Sequence, residues 1–143
     1  MPEIAIAVHK WPTLKGIPVK GVLCDISGVL SESSSEGDGV AIAGSVEAVN
    51  RLREAGLRIK FVTNESARTR SSLHAKLTRL GFSINMEEIL TPAMAMMSLI
   101  KEQNLRPHLL VHPDVLADFR TTANNDPNCV VIGDCAHHFT FDK

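Results

Sequence analysis

Hydrophobic residues in this chain come in short blocks divided by polar turns, and their spacing alternates between strand-like runs and helical faces. Val22-Leu23-Cys24-Asp25 is an apolar run that stops on an acid and turns at Gly28, which predicts a buried strand. From Ser45 onward, Val46, Val49, Leu52 and Ala55 share one helical face, with Ser45 as the N-cap and Gly56 as the stop. Leu57 to Val62 reads as a second strand, ending in Thr63-Asn64-Glu65-Ser66. A helix follows from about Ser66 to Leu80, with Leu73, Leu77 and Leu80 inward and Gly81 at its end. Arg68, Arg70, Lys76 and Arg79 on that helix read as a solvated face rather than a phosphate or nucleic-acid patch.

Beyond Thr91 the pattern continues with a helix over Pro92 to Asn104, whose Met94, Met97, Leu99 and Ile100 read as core. Leu109 to His112 is a short strand, Pro113 to Phe119 a short helix, Thr121 to Asn128 a loop, and Cys129 to Asp134 a last strand. The polar Ser31 to Gly39 stretch reads as a surface loop or a flap over the first strand's end. Strand, helix and strand with tight joints make a βαβ unit, so the first two strands are expected to run parallel. That arrangement brings Asp25 and Thr63 to the same edge of the sheet. The fold class that follows is α/β, built on a Rossmann-like parallel sheet.

With 143 residues the chain has about one domain's worth of core. A hydrophobic fraction of 44% and a mean hydropathy of +0.04 describe a soluble globular composition. Fifteen basic against sixteen acidic side chains leave a net charge of -1, so neither nucleic acid nor a membrane is an expected partner. Met1 to Lys20 has no run long enough for a signal peptide and reads as a loose arm. Cys24, Cys129 and Cys135 form no disulfide framework, with Cys24 and Cys129 set in apolar runs, which predicts a reducing cytoplasmic or nuclear home.

The candidate chemistry starts at Asp25. A carboxylate at the carboxyl end of a strand stands where open α/β sheets hold their ligands, although an isolated Asp-x-Ser-Gly equally suits an acid that only caps a turn. With a hydroxyl from Thr63 beside it, the pair suits a phosphoryl group: Asp25 as nucleophile, Thr63 and backbone N–H groups at Asn64 and the turn after Asp25 as donors. Asp25 with a neighbouring backbone carbonyl also suits a hard cation such as Mg²⁺. Cys135-Ala136-His137-His138 invites a zinc reading, but one Cys and two adjacent His do not close a tetrahedral site. His112, at a strand end, reads as a packed or capping side chain.

Three segments, Cys24-Asp25-Ile26-Ser27-Gly28-Val29-Leu30, Ile42-Ala43-Gly44-Ser45-Val46-Glu47-Ala48-Val49 and Phe61-Val62-Thr63-Asn64-Glu65-Ser66, resemble the haloacid dehalogenase superfamily of phosphatases. Within it the resemblance points to members that hydrolyse inorganic pyrophosphate and the P-N bonds of phosphohistidine and phospholysine. It implies that Asp25 is the nucleophile and a Mg²⁺ ligand, that Ser27 lends its backbone carbonyl to the metal, and that Ser27, Gly28, Thr63, Asn64 and Glu65 surround the phosphoryl group. Most of the superfamily carries an acid two residues after the nucleophile, whereas this chain has Ser27. The expected substrates are therefore those whose leaving group needs little protonation, pyrophosphate and P-N compounds over alkyl esters.

The resemblance also implies an organisation: an arm over residues 1–20, the first half of the hydrolase core over 21–90, and the start of a truncated α/β cap over 91–143. The superfamily's later Lys and acidic metal motif do not follow. Gly133-Asp134 imitates the motif but is a poor match, and Lys101 is a poor stand-in for the Lys. The chain is thus expected to be a catalytically incomplete fragment acting on a phosphorylated small molecule or protein. The alternatives are a non-catalytic module pairing through an exposed sheet edge, a homodimer included, or a general phosphoester phosphatase with the same cap.

Overall fold

The computed structural model describes residues 13–14, 16–32, 37–120, 125–135 and 140. Most of the expected N-terminal arm, the middle of the 31–39 loop, part of the 121–128 loop and the His137-His138 pair lie outside the described residues. The strands are β1 (Thr13–Leu14), β2 (Ile17–Pro18), β3 (Gly21–Asp25), β4 (Arg58–Val62), β5 (Ile89–Leu90), β6 (Pro107–Leu110) and β7 (Cys129–Ile132). The α-helices are α1 (Ser45–Glu54), α2 (Arg70–Arg79) and α3 (Pro92–Glu102), with 3-10 helices at Met86–Glu88 and Pro113–Phe119.

β3, β4 and β5 form one parallel sheet in that order, as the βαβ pattern requires. Asp25 pairs with Val62, which sets Thr63 one step beyond Asp25 at the same end. β5 is absent from the sequence reading, because two residues are too few to show a period; it exists by pairing with Phe61 and Val62. Val49 of α1 and Leu73 and Leu77 of α2 close over Ile59, Phe61 and Ile89 on a single face of this sheet. Fully burying each such side chain contributes about 1.5–3 kcal/mol.

Element ends depart from the expected ones where side chains take backbone partners. Gly44, at a φ of 79°, caps α1, and Ser45 is its first helical residue, turning its hydroxyl to the Leu30 carbonyl at 3.0 Å. α2 begins four residues later than expected, because Thr69 caps it by accepting the Ser72 N–H while the Glu65 carboxylate accepts the Ala67 N–H within the preceding loop. Lys76 is buried rather than solvated, its position beside Leu73 and Leu77 laying the aliphatic stem along the core. Arg68 and Arg79 stay solvated, as expected, and both reach Asp38 at the surface.

After Thr91, which caps α3 by accepting the Met94 N–H, a second core gathers Ala93, Ile100, Val115, Phe119 and Val131. Leu99 is exposed at 39%, contrary to its expected core role. Asn104 takes a φ of 51° and stops the helix short of itself. β6 starts two residues early, at Pro107, since its register with β7 pairs Pro107 with Cys129. His112 leaves the strand to cap the next helix, its Nδ1 accepting the Asp114 N–H at 3.2 Å. The buried cysteine is Cys135; Cys24 and Cys129 are half-buried.

Candidate functional site

Asp25 ends β3 with its side chain exposed, and its Oδ1 accepts the N–H of Ile26 at 2.8 Å. The chain then folds back sharply. The Ile26 carbonyl collects the N–H groups of Val29, Leu30 and Ser31, and Gly28 donates to the Ser31 carbonyl at 2.8 Å. Gly28 can do so because it holds a φ of 80°, where a side chain would be strained. Its N–H is thereby spent on the turn. Among the described residues no hydrogen bond falls on the carbonyl or the N–H of Ser27, which leaves both for a ligand beside Asp25.

Thr63 is buried, and its own N–H donates to the Leu90 carbonyl, which locks it to β5. Its Oγ1 accepts the Glu65 N–H at 3.0 Å, so the hydroxyl proton is directed elsewhere. Glu65 accepts the Ala67 N–H at 2.8 Å and so shapes this loop. Asn64, between them, is exposed. The structure thus brings Asp25, Ser27, Thr63 and Asn64 to one end of the sheet, while Gly28 and Glu65 build the two turns.

The oxygens of Asp25 and Ser27 suit a hard cation that keeps most of its water, as Mg²⁺ does. Among the described residues no three His, Cys, Asp or Glu side chains group to hold a metal, so Asp134 is not part of such a cluster. Instead the Asp134 N–H donates to Ser66 Oγ at 3.3 Å, which ties the end of β7 to the loop after Thr63. Asp118 makes a second tie by accepting the Arg70 N–H at 3.1 Å. Neither tie has a signal in the sequence, since both join residues 48 or more positions apart.

Three further details concern the site and the loop beside it. Ser31, which the sequence pattern assigns to a surface loop, is fully buried with its hydroxyl unpartnered, because the turn at Ile26 folds it inward. Its place at the head of a serine-rich polar run hides this. Asp38 is held below the ordinary carboxylate range by its hydrogen bond from Arg79, with Arg68 adding attraction, and so fastens the far end of the loop to α2. Burial pushes the thiol of Cys24, next to Asp25 in the chain, up from its ordinary value.

The sequence and the fold both have relatives among known proteins. The phospholysine phosphohistidine inorganic pyrophosphate phosphatase of Xenopus laevis is 54% identical over 123 residues, covering 86% of this chain and 46% of that protein. Its Homo sapiens counterpart is 50% identical over 125 residues, covering 87% and 46%. The chain therefore spans about half the length of the curated relatives it matches. Among solved structures, NagD from E. coli K-12 superposes with a TM-score of 0.70 at 22% identity, over 87% of this chain and 49% of that one. The family model of haloacid dehalogenase-like hydrolases matches residues 22–135, and the chain belongs to that family.

Proposed function

We propose that this chain carries the nucleophile and phosphoryl-binding half of a Mg²⁺-dependent phosphatase acting on pyrophosphate and on P-N bonds of phosphohistidine or phospholysine. The observation that carries the reading is the adjacency of Asp25 and Thr63 on parallel neighbours, one register step apart. With Oδ1 held by Ile26, the other oxygen of Asp25 attacks phosphorus, and the P-O or P-N bond breaks to release phosphate or amine. Water then cleaves the aspartyl-phosphate. Thr63 donates its hydroxyl proton to a phosphoryl oxygen, joined by the N–H groups of Ser27 and Asn64. Asp25 and the Ser27 carbonyl would hold Mg²⁺, which would neutralise charge on the phosphoryl oxygens.

Ser27 has no proton to give at neutral pH comparable to that of a carboxylic acid, which favours leaving groups that depart without one. The unit after Thr91 reads as the start of a cap over this end of the sheet, tied to it through Ser66 and Asp118. Measuring phosphate release from pyrophosphate and phosphohistidine, with Mg²⁺ and with EDTA, tests the reading. With the part of the relatives that this chain does not span supplied, release is expected to need the metal and to fall to background in Asp25→Asn, a loss of roughly a hundredfold or more for a missing nucleophile. Release that survives both changes would refute it.

A further inference from the structure

An open cavity of about 900 Å³, within the range of small-molecule sites, lies at the seam between the two units. None of Asp25, Ser27, Thr63 and Asn64 lines it. One wall is Arg70, the first residue of α2, and another is Asp118 in the 3-10 helix after β6. Between them runs α3, which contributes Met94, Met97 and Lys101. Their spacing of three and four positions sets them in one stripe along the helix. The stripe is apolar until its last turn, where it ends in a cation. Leu105 continues the apolar wall past the end of the helix.

The charges around the cavity do not balance. Three cations, Arg70, Lys101 and Arg106, line it against one carboxylate, Asp118. That carboxylate accepts the backbone N–H of Arg70 at 3.1 Å, and Arg106 is already paired with Asp126. The Arg70 side chain gives its Nε–H to the Met86 carbonyl, which leaves its charge without a counter-ion. Among the described residues the Lys101 ammonium has no hydrogen-bond or ion-pair partner. Guanidinium and ammonium groups bind anions strongly where apolar walls exclude water. Methionine sulfur and the guanidinium plane both favour an aromatic ring.

We infer that this cavity binds a small aromatic anion, a ring system carrying one sulfonate, carboxylate or phosphate group. The ring lies along Met94, Met97 and Leu105, and the anionic group is drawn to Arg70 and Lys101. Such a ligand bridges the two units beside the Asp118 tie, because Arg70 belongs to the first and Lys101 to the second. Binding needs no turnover, so it stands or falls separately from the proposed reaction.

The test titrates the full 143-residue chain with anilinonaphthalene sulfonate, read by dye fluorescence and by amide NMR shifts. One saturable site with a Kd of about 100 μM or below is expected, with the shifts centred on α3 and on Leu105 and Arg106. Phenylnaphthylamine, the same rings without the sulfonate, and inorganic sulfate, the charge without the rings, are each expected to bind about tenfold more weakly or worse. Lys101→Glu is expected to weaken the dye about tenfold, and Lys101→Arg to retain it. Leu23→Glu, which alters an apolar side chain 73% exposed on the sheet, is expected to change nothing. Circular dichroism confirms that each variant is folded, which the exposure of both positions favours. No saturation by about 1 mM dye, shifts centred on Leu23, full binding by Lys101→Glu, or equal affinity for either control compound would each overturn the inference.

Discussion

The sheet bearing Asp25 and the unit after Thr91 use the same alternation of strand and helix, yet their cores differ in kind. Among the described residues, the first core joins nine buried hydrophobic side chains, with Phe61, Leu77 and Ile89 at 0% exposure. The second joins five, of which Ala93 and Val131 retain 7%. The first sheet has three strands, the second two. Small cores bury too little apolar surface to offset chain entropy by themselves. The second unit therefore leans on the first through the Asp118 and Ser66 ties, and the loop that follows Thr63 is the seam between them.

The same contrast holds between ion pairs. Arg53 reaches Glu88 with two hydrogen bonds of 2.7 and 2.5 Å, joining α1 to the segment before β5, and both side chains are largely shielded. Arg106 reaches Asp126 in the second unit at 3.1 Å, but that Asp is 92% exposed. Attraction between charges survives where water is excluded and is screened where it is not.

Phe61→Ala is the sharpest way to break the comparison. It is expected to cost about 3–5 kcal/mol in urea denaturation, because a fully buried ring leaves a cavity under both helices, and to melt the two units together. Phe119→Ala removes a ring from the smaller core, and a loss of about 3 kcal/mol is expected to be local. Amide exchange should quicken in β6 and β7 while β3 and β4 stay protected. Equal quickening in β3 would show that the chain is one cooperative body.

Next in size, Arg53→Ala is expected to cost about 1–3 kcal/mol, since it strands the Glu88 carboxylate. Arg106→Ala is expected to cost no more than about 1 kcal/mol. The pH dependence follows from Glu88, whose hydrogen bonds from Arg53 hold its carboxyl below its ordinary value of 4.5. A depressed folded-state pKa means that the unfolded chain takes up the proton first as pH falls. The stabilisation is complete above about 4.5 and is lost as pH drops through the lower, folded value. Acid unfolding of Glu88→Gln should show a shallower slope over that window, and an unchanged slope would remove Glu88 from the account.

Much of the site is legible in the amino-acid sequence. The apolar run into Asp25, the Gly28 turn and the second run into Thr63 each carry a local physical signal: burial, a positive φ, and a period. Family resemblance places Glu65 and Gly28 around the phosphoryl group, and only the folded backbone shows their N–H groups engaged in turns. Lys76 reads as solvated because charge dominates a pattern, whereas its methylenes dominate its packing.

What the chain determined by itself is therefore everything fixed by neighbours along the sequence: the βαβ order, its parallel sense, and the two polar strand ends. Tertiary structure alone decided what depends on distant partners. β5 exists only against Phe61 and Val62, the late start of α2 depends on bonds made by the preceding loop, and Asp134 meets Ser66 across 68 positions. The physical reason is that a hydrogen bond or a cavity is satisfied by whatever the fold brings near, and closing such long loops leaves no periodic mark on the residues that span them.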